Sequence, residues 1–170
     1  MELVCRDETV IPAAPGVVYD VLTDLSTYEC WNTSVEVEPL GPKSLAPGVK
    51  FRYSGRDQDG KVTMTWVIEV ESLTPERRID LHYVEGDLVG PVGWELEPVD
   101  AGTLTAYVYR GVQPTNPRAA ASFERFGLRV HNLAMQATLD GLSRHVRGEQ
   151  LGVAWRAEVA ERIAQGVARL

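Results

Sequence analysis

The stretch from Asn116 to Arg147 constrains this chain more than any other. Its spacing predicts one long amphipathic helix. Asn116 is a good N-cap, and Pro117 suits the first helical position, where a missing N–H costs nothing. Gly148 stands where a glycine belongs at a helix C-terminus. Phe123, Phe126, Val130, Leu133 and Ala137 recur at helical spacing as one stripe; Leu128, Met135, Leu139, Leu142 and Val146 form a second. So broad an apolar face needs a wide concave partner. The strand-like segments that precede it are the only candidate.

Those segments follow an opening of strand and short helices. Leu3 to Ile11 alternates as a strand, and Pro12-Ala13-Ala14-Pro15 stops it. Pro15 opens a helix whose apolar residues are Val17, Val18, Val21, Leu22 and Leu25, and Tyr28 to Trp31 forms a second short helix or turn. From Val35 the period changes to that of strands: 35–40, 49–54, 62–73, 78–84, 92–99 and 103–112. Asp57-Gln58-Asp59-Gly60 reads as a hairpin turn, and Gly86, Gly90 and Gly93 as a glycine-rich link. A run of strands beside a segregated helix is the α+β pattern: one curved antiparallel sheet wrapped around a long C-terminal helix, with an internal cavity between them.

Residues 1–148 are expected to form this domain and 149–170 a helical extension. In the extension Trp155, Val159, Ile163, Val167 and Leu170 share one face. That face packs back on its own domain, forms a homodimer contact, or belongs to a disordered tail.

A net charge of -7 argues against nucleic acid or an anionic membrane as the main partner. No apolar run is long enough to span a bilayer, and Met1 to Asp7 does not read as a signal peptide. Cys5 and Cys30 show no metal spacing and are expected as reduced thiols of a cytoplasmic protein. Three scattered histidines make no metal set, and no nucleophile elbow or dinucleotide loop is present, so the expectation is no metal and no cofactor.

Ile11 to Asp24, with its Ala14-Pro15 and Tyr19-Asp20, followed by Tyr28 and Trp31, resembles the opening of the START-like, helix-grip superfamily. The nearest likeness is to its polyketide cyclase/dehydrase and lipid-transport group. Thr65-Trp66-Val67-Ile68-Glu69, Pro75-Glu76-Arg77-Arg78, His82-Tyr83-Val84-Glu85 and Gly93-Trp94-Glu95-Leu96-Glu97 are similar to central strands of bacterial aromatase/cyclases. Asn132 and Gln136 also resemble that group. The likeness covers residues 3 to 147. It implies a helix-grip fold and a hydrophobic ligand, polyketide or lipid, but the scaffold hosts catalysts, carriers and receptors alike. Two departures stand out. Val70 occupies the place of an arginine that such cyclases use to hold the polyketide, and Thr33 and Ser34 stand where they use a tyrosine.

Four residues are the candidate catalytic groups. His131 interrupts the apolar series of the long helix and is expected to face inward as a general acid or base, or to be a core histidine satisfied by a carbonyl. Tyr107 and Tyr109 share one strand face and could polarise a ligand carbonyl, or form a cross-strand aromatic pair. Arg110 faces the other way and replaces them if that face is the inner one. Trp31, Trp66 and Trp94 are expected as core or cavity wall, with Asn132 and Met135 as further ligand contacts. His82 joins them unless Leu81 points inward, which would put His82 on the surface. The leading expectation is a polyketide cyclase or aromatase-like enzyme; a non-catalytic carrier and an interaction module are the alternatives.

Overall fold

The computed structural model describes residues 1–32, 34–56 and 59–169. Strand β1 (Leu3–Ile11) leads into α1 (Pro15–Thr23), a single 3-10 turn (Leu25–Thr27) and α2 (Tyr28–Trp31). Six strands follow: β2 (Glu36–Pro39), β3 (Lys50–Arg56), β4 (Val62–Thr74), β5 (Arg78–Gly86), β6 (Leu88–Val99) and β7 (Gly102–Pro114). They form one antiparallel sheet in the order β1-β7-β6-β5-β4-β3-β2. Register shifts in four of the six strand pairings bend this sheet into a trough. It is the α+β helix-grip architecture that the strand run and its helix predict. The expected glycine link is shorter than 86–93: the turn falls at Gly86–Asp87, and Gly90 and Gly93 lie inside β6. Asp57 and Gln58 of the expected hairpin turn, and Thr33, lie outside the described residues.

The one long helix is two. Asn116 caps α3 (Pro117–Phe126), its side chain accepting from the Ala119 N–H, and α4 runs over Arg129–Val146. Gly127 separates them with φ 58° and ψ -147°, a conformation open essentially to glycine alone. The bend divides the predicted stripes by task. Met135, Ala137, Leu139 and Leu142 are buried in α4. Phe123, Phe126 and Val130 are half-buried and border open space, Phe123 packing against the core as well.

α1 and α2 close one end of the trough. Val18, Leu22, Tyr28 and Trp31 are buried, and the Tyr28 hydroxyl donates to the Leu22 carbonyl at 2.6 Å. α4 crosses α2 so closely that a Cβ on Gly141 would lie 2.2 Å from the Trp31 carbonyl oxygen. Helix α5 (Val153–Ala168) packs back on α4, with Trp155 4% and Val159 1% exposed beside Ala137. The Val167 side chain and Leu170, expected on that same face, lie outside what is described. No helix is long and apolar enough to cross a membrane among the described residues.

Candidate functional site

Alternation along the central strands sends one aromatic residue after another to the concave face. Tyr53 (β3), Trp66 (β4), Tyr83 (β5), Trp94 (β6) and Tyr107 and Tyr109 (β7) are all buried there. Their rings touch in series. Tyr53–Trp66, Trp66–Tyr83 and Tyr83–Tyr109 centroids are 5.9, 5.8 and 5.8 Å apart, and Trp94 lies 4.7 Å from Tyr107. Between this wall and helices α3 and α4 is a cavity of about 210 Å³. Met135, Val130 and Ala134 face it from α4, and Phe123 and Phe126 from α3.

Polar groups converge at one place on that wall. The Tyr83 and Tyr107 hydroxyls are 2.8 Å apart, and Tyr83 donates to the Tyr109 hydroxyl at 3.5 Å. Burial pushes Tyr83 up to about 12 and Tyr107 and Tyr109 well above the ordinary phenol value. All three are neutral O–H donors at physiological pH. His131 of α4 stacks on Tyr109 with ring centroids 4.2 Å apart and borders the cavity.

Behind His131 lies a residue that no motif or resemblance singles out. Asp7, 4% exposed, sits on the inner face of β1 in register with Tyr107. Its Oδ2 is 3.2 Å from His131 Nε2, and its Oδ1 accepts from Asn132 Nδ2 at 2.7 Å. Burial pushes the Asp7 carboxyl up, but the neighbouring polar side chains of His131, Asn132 and Gln136 outweigh it and hold the group below the usual carboxylate range. Asp7 is therefore an anion fixed against an imidazole.

Cys5, two residues earlier on the same strand face, pairs in register with Tyr109. Among the described residues, Cys5, Asp7 and His131 alone bring three metal-ligating atoms within 4.8 Å of one another. Burial and the nearby Asp7 charge raise the Cys5 thiol to about 11, which keeps its proton in place at neutral pH. The Asp7–His131 contact already joins the other two. The trio is a carboxylate–imidazole pair beside a neutral thiol.

The other predicted site residues divide. Trp66, Trp94 and Met135 border the cavity with His131, Tyr107 and Tyr109. Arg110 does not: it is on the convex face, with Nη2 2.7 Å from Glu95 and Nη1 3.6 Å from Asp80. His82 is also outside, 3.1 Å from Glu71, because Leu81 and Tyr83 point inward and are 2% exposed. Trp31 is core, stacked 4.6 Å from Tyr28 with its Nε1 donating to Thr27 Oγ1. Asn132 does not border the cavity; its side chain donates to Asp7. Tyr83 and Asp7 are additions. The alternation of Leu3, Cys5, Asp7, Thr9 and Ile11 does put an acid on an apolar face, and that is the available signal.

Solved structures of other proteins share this architecture. The crystal structure of TTHA0849 from Thermus thermophilus superposes with a TM-score of 0.71 at 23% identity, covering 86% of this chain and 98% of that one. CV1439 from Chromobacterium violaceum gives 0.64 at 18% identity, covering 86% and 98%. The solution structure of the KanY protein gives 0.67 at 15% identity, covering 87% and 99%. At these identities the likeness is one of fold. A search of curated proteins yields no match. The family model for polyketide cyclase/dehydrase and lipid transport matches residues 4–147, and the chain belongs to that family.

Proposed function

We propose that this protein binds a hydrophobic carbonyl compound in the cavity and moves protons on it, promoting cyclisation or dehydration. The observation that carries this reading is His131, bordering the cavity with Asp7 3.2 Å behind it and phenol hydroxyls beside it. The Asp7 contact engages Nε2, which leaves Nδ1 to exchange a proton with the ligand. His131 takes a proton from the carbon next to a carbonyl, and Tyr107 or Tyr109 donates a hydrogen bond to the enolate oxygen. In a cyclisation the enolate carbon attacks a second carbonyl of the same molecule. The new alkoxide then takes the proton back from the imidazolium. In a dehydration that proton leaves with the β-hydroxyl as water. Neither route needs an oxidant or reductant. Asn132 and Cys5 act through Asp7 and Tyr109 and do not touch the ligand.

The test begins with mass spectrometry of the purified protein, native and then denatured. A released hydrophobic carbonyl compound, converted on incubation to an isomer or to a product lighter by one water, supports the proposal. Release of an acyl lipid that is never altered rejects it. The second reading, a carrier, is favoured by the apolar cavity flank of Val130, Ala134, Met135 and Phe123, and that outcome would establish it. A homodimer in a cytoplasmic setting is compatible with either reading, and sedimentation of the intact chain tests the dimer.

A further inference from the structure

Helix α5 lies beyond residues 4–147, the part that matches the family. It is not a loose appendage. Arg144 and Arg162 lie over the Trp155 ring at 4.5 and 5.6 Å, Arg162 reaches Asp140 at 3.3 Å, and a Cβ on Gly166 would meet Leu133 at 2.5 Å. These contacts fix one further stripe of the helix. Arg156, Ala160 and Ile163 follow at i, i+4 and i+7, so they share a face. Ile163 borders the cavity, while Arg156 and Ala160 border a groove of about 390 Å³ alongside it. Asn32, Ser34, Val35 and Arg56 line both, so the two spaces adjoin.

The two spaces differ in chemistry. The cavity is walled by aromatic rings, and its 210 Å³ is below the roughly 300–1,000 Å³ that encloses a drug-sized ligand. A ligand of that size extends out of it. The adjoining groove carries Arg56, Arg156, Glu29 and Glu36. Arg56 and Glu36 are bonded to each other. Arg156 gives one bond, from Nη2 to the Glu29 carbonyl at 2.6 Å, and no ion pair engages it among the described residues.

We propose that α5 selects the ligand: Ile163 limits the bulk of an apolar body in the cavity, and Arg156 receives an oxygen-bearing end of the same molecule in the groove. The ligand class is thus amphipathic. This rests on the reading that the cavity takes a hydrophobic molecule.

Two fluorescent probes separate the claims. 1-Anilinonaphthalene-8-sulfonate and N-phenyl-1-naphthylamine share one aromatic body, and only the first carries an oxygen-rich anionic group. With the intact chain both are expected to bind, and Ala134→Trp, which fills the cavity, abolishes both. Arg156→Gln is expected to weaken the sulfonate about tenfold, the loss of one charge-assisted contact, while the neutral probe stays within about twofold. Glu29→Gln, which removes the groove carboxylate that Arg56 does not engage, shifts the ratio the opposite way. Ile163→Trp weakens both probes about tenfold or more. Thermal melts of each variant establish that α5 is still docked. Binding of both probes with Arg156→Gln and Ile163→Trp unchanged overturns the role of α5 and leaves the cavity reading intact. Equal weakening of both probes by Arg156→Gln makes that residue only an anchor for α5 and overturns the polar subsite. Binding of neither probe to the intact chain overturns the cavity reading and this proposal with it.

Discussion

Asp7 and His131 are 124 positions apart in sequence, yet their polar atoms lie 3.2 Å apart under one helix. An anion so deeply buried is tolerated because its oxygens are met by His131 and Asn132. Because the folded-state value of Asp7 is depressed, its contribution to stability is fully present above the ordinary carboxylate value. It is lost as pH falls below about 4. Denaturant titrations from pH 7 to pH 3 are expected to show this loss in the parent protein and a flatter profile in Asp7→Asn. At pH 7 that variant is expected to be less stable by about 1–3 kcal/mol, since Asn132 loses a charged acceptor. Tyr83→Phe removes the hydroxyl that joins Tyr107 and Tyr109. It is expected to cost about 0.5–1.5 kcal/mol of stability and to lower product formation by less than His131→Gln does, measured on the same preparation.

At the scale of elements, the strands are legible because period-2 alternation and turn residues are local signals. Val62 to Thr74 and Arg78 to Gly86 fall within a few residues of the expected bounds. The bend at Gly127 is not, because a lone glycine inside a helical pattern reads as tolerated and its φ is set by packing. Gly127→Ala is expected to destabilise the fold by about 1–3 kcal/mol and to disturb the cavity wall, and a melt with a binding curve for either naphthyl probe checks both effects. Which face of each strand turns inward is also hidden. Trp66, Val67 and Ile68 are consecutive and all buried, so hydrophobicity alone does not choose between faces. The choice between Tyr107 with Tyr109 and Arg110 follows only from the sheet's curvature. Asp7 escapes notice for a related reason: by residue type a carboxylate reads as surface, and its partners come from a helix more than a hundred residues away.

The whole molecule is a trough closed by α1 and α2 at one end and roofed by α3 and α4, with an aromatic wall on its inner face. Its core is therefore incomplete, and the largest side chains of the sheet border space as well as one another. Ala134→Trp is expected to fill that space, abolish ligand uptake and leave the melting temperature within a few degrees of the parent, since the residue borders the cavity and not the core. The extension α5 is joined to this body by aromatic–guanidinium and apolar contacts, so of the three readings open for the face of Trp155, Val159 and Ile163 the structure has it packed back on its own domain.

The central claim is that His131, backed by Asp7, transfers a proton to and from a compound held in the cavity. It is tested most directly by product formation from the co-purified compound, followed by mass spectrometry, with the parent protein and with His131→Gln at matched ligand occupancy. The account predicts a loss of about 10²–10⁴ in rate with binding retained. Equal rates in the two proteins would contradict it.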